Sequence, residues 1–296
     1  MNYNIIEKNN KIIIKNMKDF HPKHIFECGQ AFRWQVEEDG SYTAVHGGKV
    51  LNVKIEGEDV VFSNTNISDF YDIWYDYFDL SRDYGNIKDE LSKDPILKEA
   101  IKFGEGIRIL NQDPFETTIS FIISANNQIP RIKRSIELIS QYYGKPIGSY
   151  NGKKYYTFPS SEVLAKAKEE ELEKNCKVGY RAKYIINTSN MINNKEVELD
   201  ELFKLPTEEA KEILMKLPGV GPKVSNCILL FSLNKNEAFP VDVWVKRVME
   251  HFYFKEDTSN KKIATYAEDK FGNLGGFAQQ YLFYYARELG IGRKKK

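Results

Sequence analysis

Lys223 and Asp242 are the two residues whose types and placement suggest covalent chemistry. Lys223 ends the run Leu217-Pro218-Gly219-Val220-Gly221-Pro222-Lys223, and Asp242 ends Phe239-Pro240-Val241-Asp242, with an apolar helical pattern between them. Two glycines around one apolar residue make a tight turn whose backbone N–H groups point outward, an arrangement suited to a phosphate. The turn joins a helical pattern from Thr207 through Met215 to a second from Pro222 to about Leu233. Pro222 occupies a favourable first-turn position, so the whole reads as a helix-hairpin-helix. Lys223 then sits in the first turn of the second helix, where the positive end of the macrodipole favours the free amine that a nucleophile requires.

Simpler readings stand beside this one. The run is not a Walker loop, because Gly-x4-Gly-Lys-Ser/Thr is absent, and it follows no strand as a dinucleotide fingerprint would. Without the lysine, such a hairpin would be a sequence-independent DNA grip working through backbone N–H groups. Lys223 could be a solvated helix-terminus lysine, and Asp242 the N-cap of a helix starting at Val243. Capping and catalysis are compatible for Asp242.

The elements that must hold these residues follow from pattern. At 296 residues, with 42% hydrophobic and 13% aromatic content, the chain can bury a large core in one or two domains. The formal charge is +1, so any affinity for nucleic acid must come from local patches, one of them Arg293-Lys294-Lys295-Lys296. Three cysteines, Cys28, Cys176 and Cys227, form neither a disulfide framework nor a Cys-x-x-Cys site, which fits a reducing intracellular setting. The histidines His21, His24, His46 and His251 show no metal-ligand spacing, so no catalytic metal is expected. No apolar run reaches membrane-spanning length and no signal peptide is evident, so a soluble protein is expected.

Alternating segments at Lys11–Lys15, Ala31–Val36, Tyr42–His46, Val50–Ile55 and Val60–Ser63 predict an antiparallel meander. From Ser68 the period changes to about 3.6 and helices are expected near 70–78, 86–103, 114–125, 128–143, 160–175, 180–194, 200–204, 207–216, 222–233, 241–252, 259–271 and 275–289. Lys145–Phe158 reads as a loop or short hairpin. The expected fold class is α+β: an antiparallel sheet domain with flanking helices over 1–113, packed on a mostly helical domain over 114–292, with a basic tail at 293–296.

Several short motifs in this order carry a resemblance: Gly29-Gln30-Ala31-Phe32-Arg33-Trp34, Ser124-Ala125-Asn126-Asn127-Gln128-Ile129, Gly179-Tyr180-Arg181-Ala182, the hairpin through Lys223 and Cys227, Val241-Asp242, and Ala278-Gln279 with Leu282-Phe283. Spread from about residue 20 to 290, they resemble the 8-oxoguanine DNA glycosylase/AP lyase family of the helix-hairpin-helix (HhH-GPD) superfamily. That resemblance implies a DNA repair enzyme that flips 8-oxoguanine out of duplex DNA and excises it by Lys223 attack at C1′. Asp242 would stabilise the cationic sugar, and β-elimination from the Schiff base would nick the strand. It assigns base recognition to Gly29, Cys227, Gln279 and Phe283. DNA contact falls to Asn126, Asn127, Arg131, Tyr180, Arg181, Gly219, Val220, Gly221 and Trp244, with Tyr180 as wedge and the arginines preferring cytosine opposite. The partner is double-stranded DNA containing oxidised guanine, with the protein acting as a monomer, and no cofactor is implied. In relatives, main-chain carbonyls at the hairpin bind a structural cation, which would place Met215, Leu217 and Val220 around it. Spacing agrees in part, since Lys223 and Cys227 are i and i+4, as are Gln279 and Phe283.

The chain departs from the better-known eukaryotic relatives in one place: a histidine that touches phosphate is Trp244 here, and its acidic partner corresponds to Ala286. Pro130, just before Arg131, could shift the start of that helix. Two other readings remain: a helix-hairpin-helix glycosylase for a different lesion, and a noncatalytic DNA-binding protein. Lys223 argues against a purely monofunctional enzyme, and three scattered cysteines argue against the iron-sulfur branch.

Overall fold

In the computed structural model, which describes residues 3–292, the alternating segments form a six-stranded antiparallel sheet. The basic residues 293–296 lie outside the described residues. The strands are β1 (Ile5–Glu7), β2 (Lys11–Ile14), β3 (Trp34–Val36), β4 (Tyr42–His46), β5 (Lys49–Glu56) and β6 (Asp59–Ser63), in the order β1-β2-β6-β5-β4-β3. The predicted meander therefore runs only from β3 to β6. β2 pairs instead with the last strand, Lys11 opposite Ser63, and β1 adds an edge that the alternation did not reveal. Ile12, Ile14, Leu51, Val53 and Phe62 are fully buried and pack with Phe26, Phe70, Trp74 and Phe78 into one core.

Between β2 and β3 the chain makes a short helix, α1 (Pro22–Glu27), opened by a proline in its first turn. The segment Ala31–Arg33 is not strand, because Gln30 ties it down elsewhere. The fully buried Gln30 amide donates to the Ile25 and Arg108 carbonyls at 2.9 and 2.7 Å and accepts from the Leu110 N–H at 2.8 Å. A buried amide bonded at both ends fixes its backbone firmly. It fixes Gly29 beside it.

The remainder is helical, apart from the hairpin of β7 (Pro146–Tyr150) and β8 (Lys153–Tyr156), whose Tyr155 packs on Val45 and Val50 of the sheet. The helix expected over 86–103 is two, Tyr84–Leu91 and Pro95–Phe103. Pro95 cannot continue the first, and Asp94 caps the second by accepting from the Ile96 and Leu97 N–H groups at 2.9 and 3.0 Å. The 160–175 segment likewise divides into Ser161–Ala165 and Glu169–Cys176.

Seven helices hold the site and the hairpin before it: α2 (Pro114–Ser124), α3 (Ile129–Tyr143), α4 (Ala182–Asn193), α5 (Thr207–Leu214), α6 (Pro222–Ser232), α7 (Val243–Met249) and α8 (Gly275–Leu289). Their apolar faces, with Ile228, Leu229, Val245, Val248, Ala278 and Leu282 fully buried, share a second core. Tyr84, Leu97 and Ile107 join that helical core and not the sheet core.

Candidate active site

The hairpin between α5 and α6 depends on Gly219. Its φ of +84° lies in the left-handed region, and a Cβ there would stand 3.1 Å from Tyr184 and 3.2 Å from Ile122. Gly221, the N-cap of α6, faces open space. Val220 is buried, its N–H bonded to the Leu217 carbonyl at 3.1 Å, while Thr188 holds the Pro218 carbonyl at 2.9 Å. The turn is thus anchored on its inner side and open at the start of α6.

Lys223 lies one residue inside α6, after Pro222, and is half-buried. Its Nζ is 3.5 Å from Ser124 Oγ at the end of α2 and 5.0 Å from the centre of the Phe121 ring. Asp242 caps α7, its Oδ1 accepting from the Trp244 and Val245 N–H groups at 2.9 and 2.8 Å. Burial raises its carboxyl above the ordinary aspartate range, opposed by the Val245 hydrogen bond and the charge of Lys223. Capping fixes one oxygen of this carboxylate at the start of α7.

Lys223 and Asp242 open onto the same cavity, of about 160 Å³, which Gly29, Cys227, Gln279, Phe283 and Trp244 also line. A larger and more polar groove of about 650 Å³, between the sheet and the start of α2, contains none of the residues given a catalytic, base-reading or DNA-contact role from the sequence. The chemistry decides between them: only the smaller cavity holds an amine beside a carboxylate.

Gly29 meets α8 at close quarters. Its φ is +79°, and a Cβ would approach Phe283 Cε1 to 2.9 Å, so no other residue fits without displacing the ring. Cys227 is buried and its thiol is pushed up to about 11 by burial, which keeps it a neutral, polarizable wall. The Gln279 Nε2 donates to the Pro240 carbonyl at 3.2 Å, and its Oε1 accepts from Gln280 at 3.1 Å.

Sequence reasoning missed Arg287, although 279, 283 and 287 continue the same helix face and would have pointed to it. Its guanidinium carbon is 5.2 Å from the centre of the Phe283 ring, and Nη2 donates to the Glu27 carbonyl. It thereby clamps the turn before Gly29 to α8. Ser124, Phe121 and Gln280 also line the cavity and were not assigned from sequence.

The residues expected to face DNA are of two kinds. Tyr180 is 59% exposed, while Asn126 and Arg131 are exposed at the turn between α2 and α3, where Asn126 adopts a left-handed φ of +50°. Asn127 donates to the Ile123 carbonyl at 3.1 Å and accepts from Gln128 N–H at 2.9 Å, fastening the turn. Pro130 falls within the first turn of α3 and leaves the helix start at Ile129. Arg181 is only 8% exposed, and its guanidinium donates to the carbonyls of Ala125, Asn126 and Val178. In this arrangement it braces the Asn126 turn from behind. Trp244 lies under the Arg247 guanidinium, 5.0 Å from ring centre to carbon, and Ala286 is fully buried.

Among the described residues no helix is long and apolar enough to cross a membrane. The chain matches two family models end to end: the N-terminal domain of 8-oxoguanine DNA glycosylase over residues 12–118, and the HhH-GPD superfamily base excision DNA repair protein over residues 119–272. It is 32% identical over 281 residues to the N-glycosylase/DNA lyase OGG1 of Arabidopsis thaliana, covering 87% of this chain and 75% of that one. A probable N-glycosylase/DNA lyase of Methanothermobacter thermautotrophicus is 36% identical over 67% of this chain and 69% of its own length. Among solved structures, the Clostridium acetobutylicum 8-oxoguanine glycosylase/lyase, in complex with double-stranded DNA containing cytosine opposite 8-oxoguanine, superposes with a TM-score of 0.95. That protein is 51% identical, with 98% of this chain and 100% of that chain covered.

Proposed function

The chain belongs to the HhH-GPD superfamily of base excision DNA repair proteins, in its 8-oxoguanine DNA glycosylase/lyase branch, and from that premise we propose how its cavity carries out the reaction. The observation that carries the proposal is that Lys223 and Asp242 share one cavity with Gly29, Cys227, Gln279 and Phe283. These residues come from four separate stretches of sequence. A phosphate-binding module alone would not need them together.

Extruding the lesion costs a few kcal/mol of lost stacking and pairing. The exposed Tyr180 ring would fill the gap, with Asn126 and Asn127 lining it and Arg131 offering donors to the acceptor edge of an orphaned cytosine. The open side of the hairpin, with the N–H groups of Gly219 and Gly221, would hold a backbone phosphate, with Trp244 alongside; the Val220 N–H, expected from the sequence to join them, is instead bonded to the Leu217 carbonyl inside the turn. A structural cation on the carbonyls of Met215, Leu217 and Val220 would reinforce that turn. Inside the cavity, the Gly29 carbonyl would accept the N7 hydrogen that 8-oxoguanine has and guanine lacks. With guanine, two acceptors would face each other in a buried site, and that mismatch discriminates. Gln279 would read the Watson–Crick edge, and the base would lie between the Phe283 ring and the Cys227 sulfur.

The Lys223 amine then attacks C1′ as the C1′–N9 bond breaks, its electron pair leaving with the base, which gains a proton. The Asp242 carboxylate stabilises the positive sugar as charge develops. Loss of the amine proton and opening of the sugar ring give a Schiff base. Removal of a C2′ proton expels the 3′ phosphate and nicks the strand.

Borohydride trapping on a duplex containing 8-oxoguanine opposite cytosine tests this course. A covalent adduct is expected with the wild type and none with Lys223→Gln. Absence of both adduct and base release in the wild type overturns the proposal, and equal processing opposite all four bases overturns the role given to Arg131.

A further inference from the structure

Gln280 follows Gln279 on α8 and is 2% exposed. Its Nε2 makes one hydrogen bond, to Gln279 Oε1 at 3.1 Å, while its own Oε1 is buried without a partner. A buried amide with most of its capacity unmet is costly, and an apolar side chain of the same shape would avoid that cost. The bond to Gln279 is what this residue contributes. It lines the same cavity as Gln279.

The orientation of the Gln279 amide decides what it can read. Its Nε2 is held by the Pro240 carbonyl at 3.2 Å, and Gln280 supplies the donor that its oxygen requires. Turned the other way with Gln280 as it stands, Oε1 would face the Pro240 carbonyl and Nε2 would face the Gln280 donor, two mismatches at once, and turning Gln280 as well would still leave Oε1 against the Pro240 carbonyl. The oxygen retains a second lone pair. It can accept from a base that presents a hydrogen at N1, as a guanine-type edge does, and it would repel an adenine-type edge, which presents a bare N1 acceptor.

We propose that Gln280 is a positioning residue that locks the Gln279 amide in its guanine-reading orientation, so that the enzyme selects oxidised guanine over oxidised adenine. This rests on the reading of Gln279 given above. The gain is specificity rather than chemical rate, because Gln280 touches no reacting atom and acts only through its neighbour.

The test measures single-turnover excision of 8-oxoguanine and of 8-oxoadenine, both opposite cytosine, by the wild type, Gln280→Leu and Gln280→Met. Both variants remove the donor, and methionine keeps the length and volume of the side chain. Cleavage of a duplex carrying an abasic site reports folding and the lysine chemistry without a base. The wild type is expected to prefer 8-oxoguanine, and both variants to narrow that preference by about tenfold while abasic-site cleavage persists. A preference unchanged within twofold in either folded variant overturns the inference. So does a fall that is equal for both lesions, which would mark a purely structural role. Failure of the wild type to excise 8-oxoguanine would instead sink the underlying reading of the site.

Discussion

The base cavity and the rim around it are built from opposite materials. In the cavity, each group given a role in the proposed reaction is held by a neighbour: Gly29 by buried Gln30, Phe283 by Arg287, Gln279 by Pro240 and Gln280, Asp242 by the start of α7. At the rim, Tyr180, Asn126 and Arg131 stand exposed, while the residue that looks most like a fourth contact, Arg181, is turned inward onto carbonyls. The difference fits the proposed task. A choice that turns on one hydrogen demands groups that cannot drift, since small misplacements forfeit the discrimination. A rim that must follow a bent and opened duplex needs side chains free to adapt.

The contrast is broken or sharpened by substitution, beginning with Asp242. Asp242→Asn keeps a capping side chain and so keeps α7, but removes the charge proposed to stabilise the sugar, and base release should fall on the order of 10²–10³-fold. Because burial raises the Asp242 carboxyl, its ionised form is lost as pH falls through that raised value. The acid decline in single-turnover rate should therefore begin at higher pH than for an ordinary aspartate, and disappear in the asparagine variant. An acid limb that persists in the variant would assign it to another group.

Gly29→Ala comes next. Left-handed backbone costs about 1–2 kcal/mol for a residue with a Cβ, and overpacking adds about 1–3 kcal/mol. The new methyl would lie 2.9 Å from Phe283, so 8-oxoguanine excision should drop roughly 10–100-fold, by order of magnitude from those costs, with abasic-site cleavage less affected. Equal loss on both substrates would show that the turn serves the fold alone.

The effects of the two arginines should differ in kind. Arg181→Leu removes charged hydrogen bonds worth about 1.5–3 kcal/mol each at most, and should lower the thermal midpoint. Arg131→Ala should leave the midpoint unchanged and reduce the preference for cytosine opposite the lesion by about 1–3 kcal/mol, measured as relative excision rates. If Arg181→Leu left stability intact and abolished that preference, the division between cavity and rim would fail.

Much of the cavity was legible because its signals are local. The glycine hairpin, the proline after it and the i, i+4 pairs act within one or two turns of chain, where backbone sterics and side-chain spacing are enough. Arg287 was equally legible by that spacing and was overlooked. The rim was less so: Tyr180 and Arg181 are adjacent in sequence, yet one is exposed and the other buried, because two of the three carbonyls that capture Arg181 come from a turn far away in sequence. The same limit applies to the sheet, where alternation marked most strands but could not show that β2 would cross to pair with β6.

What the residues settled alone was the class of fold, the change from period 2 to 3.6, and the amine and carboxylate placed at the starts of two helices. Tertiary packing decided that Gly29 would lie against Phe283, that Arg181 would face inward, and which way the Gln279 amide would point. Periodicity and turn preference are summed over adjacent residues. Burial and hydrogen-bond pairing depend on whichever distant groups arrive at the same place, and only the folded chain brings them there.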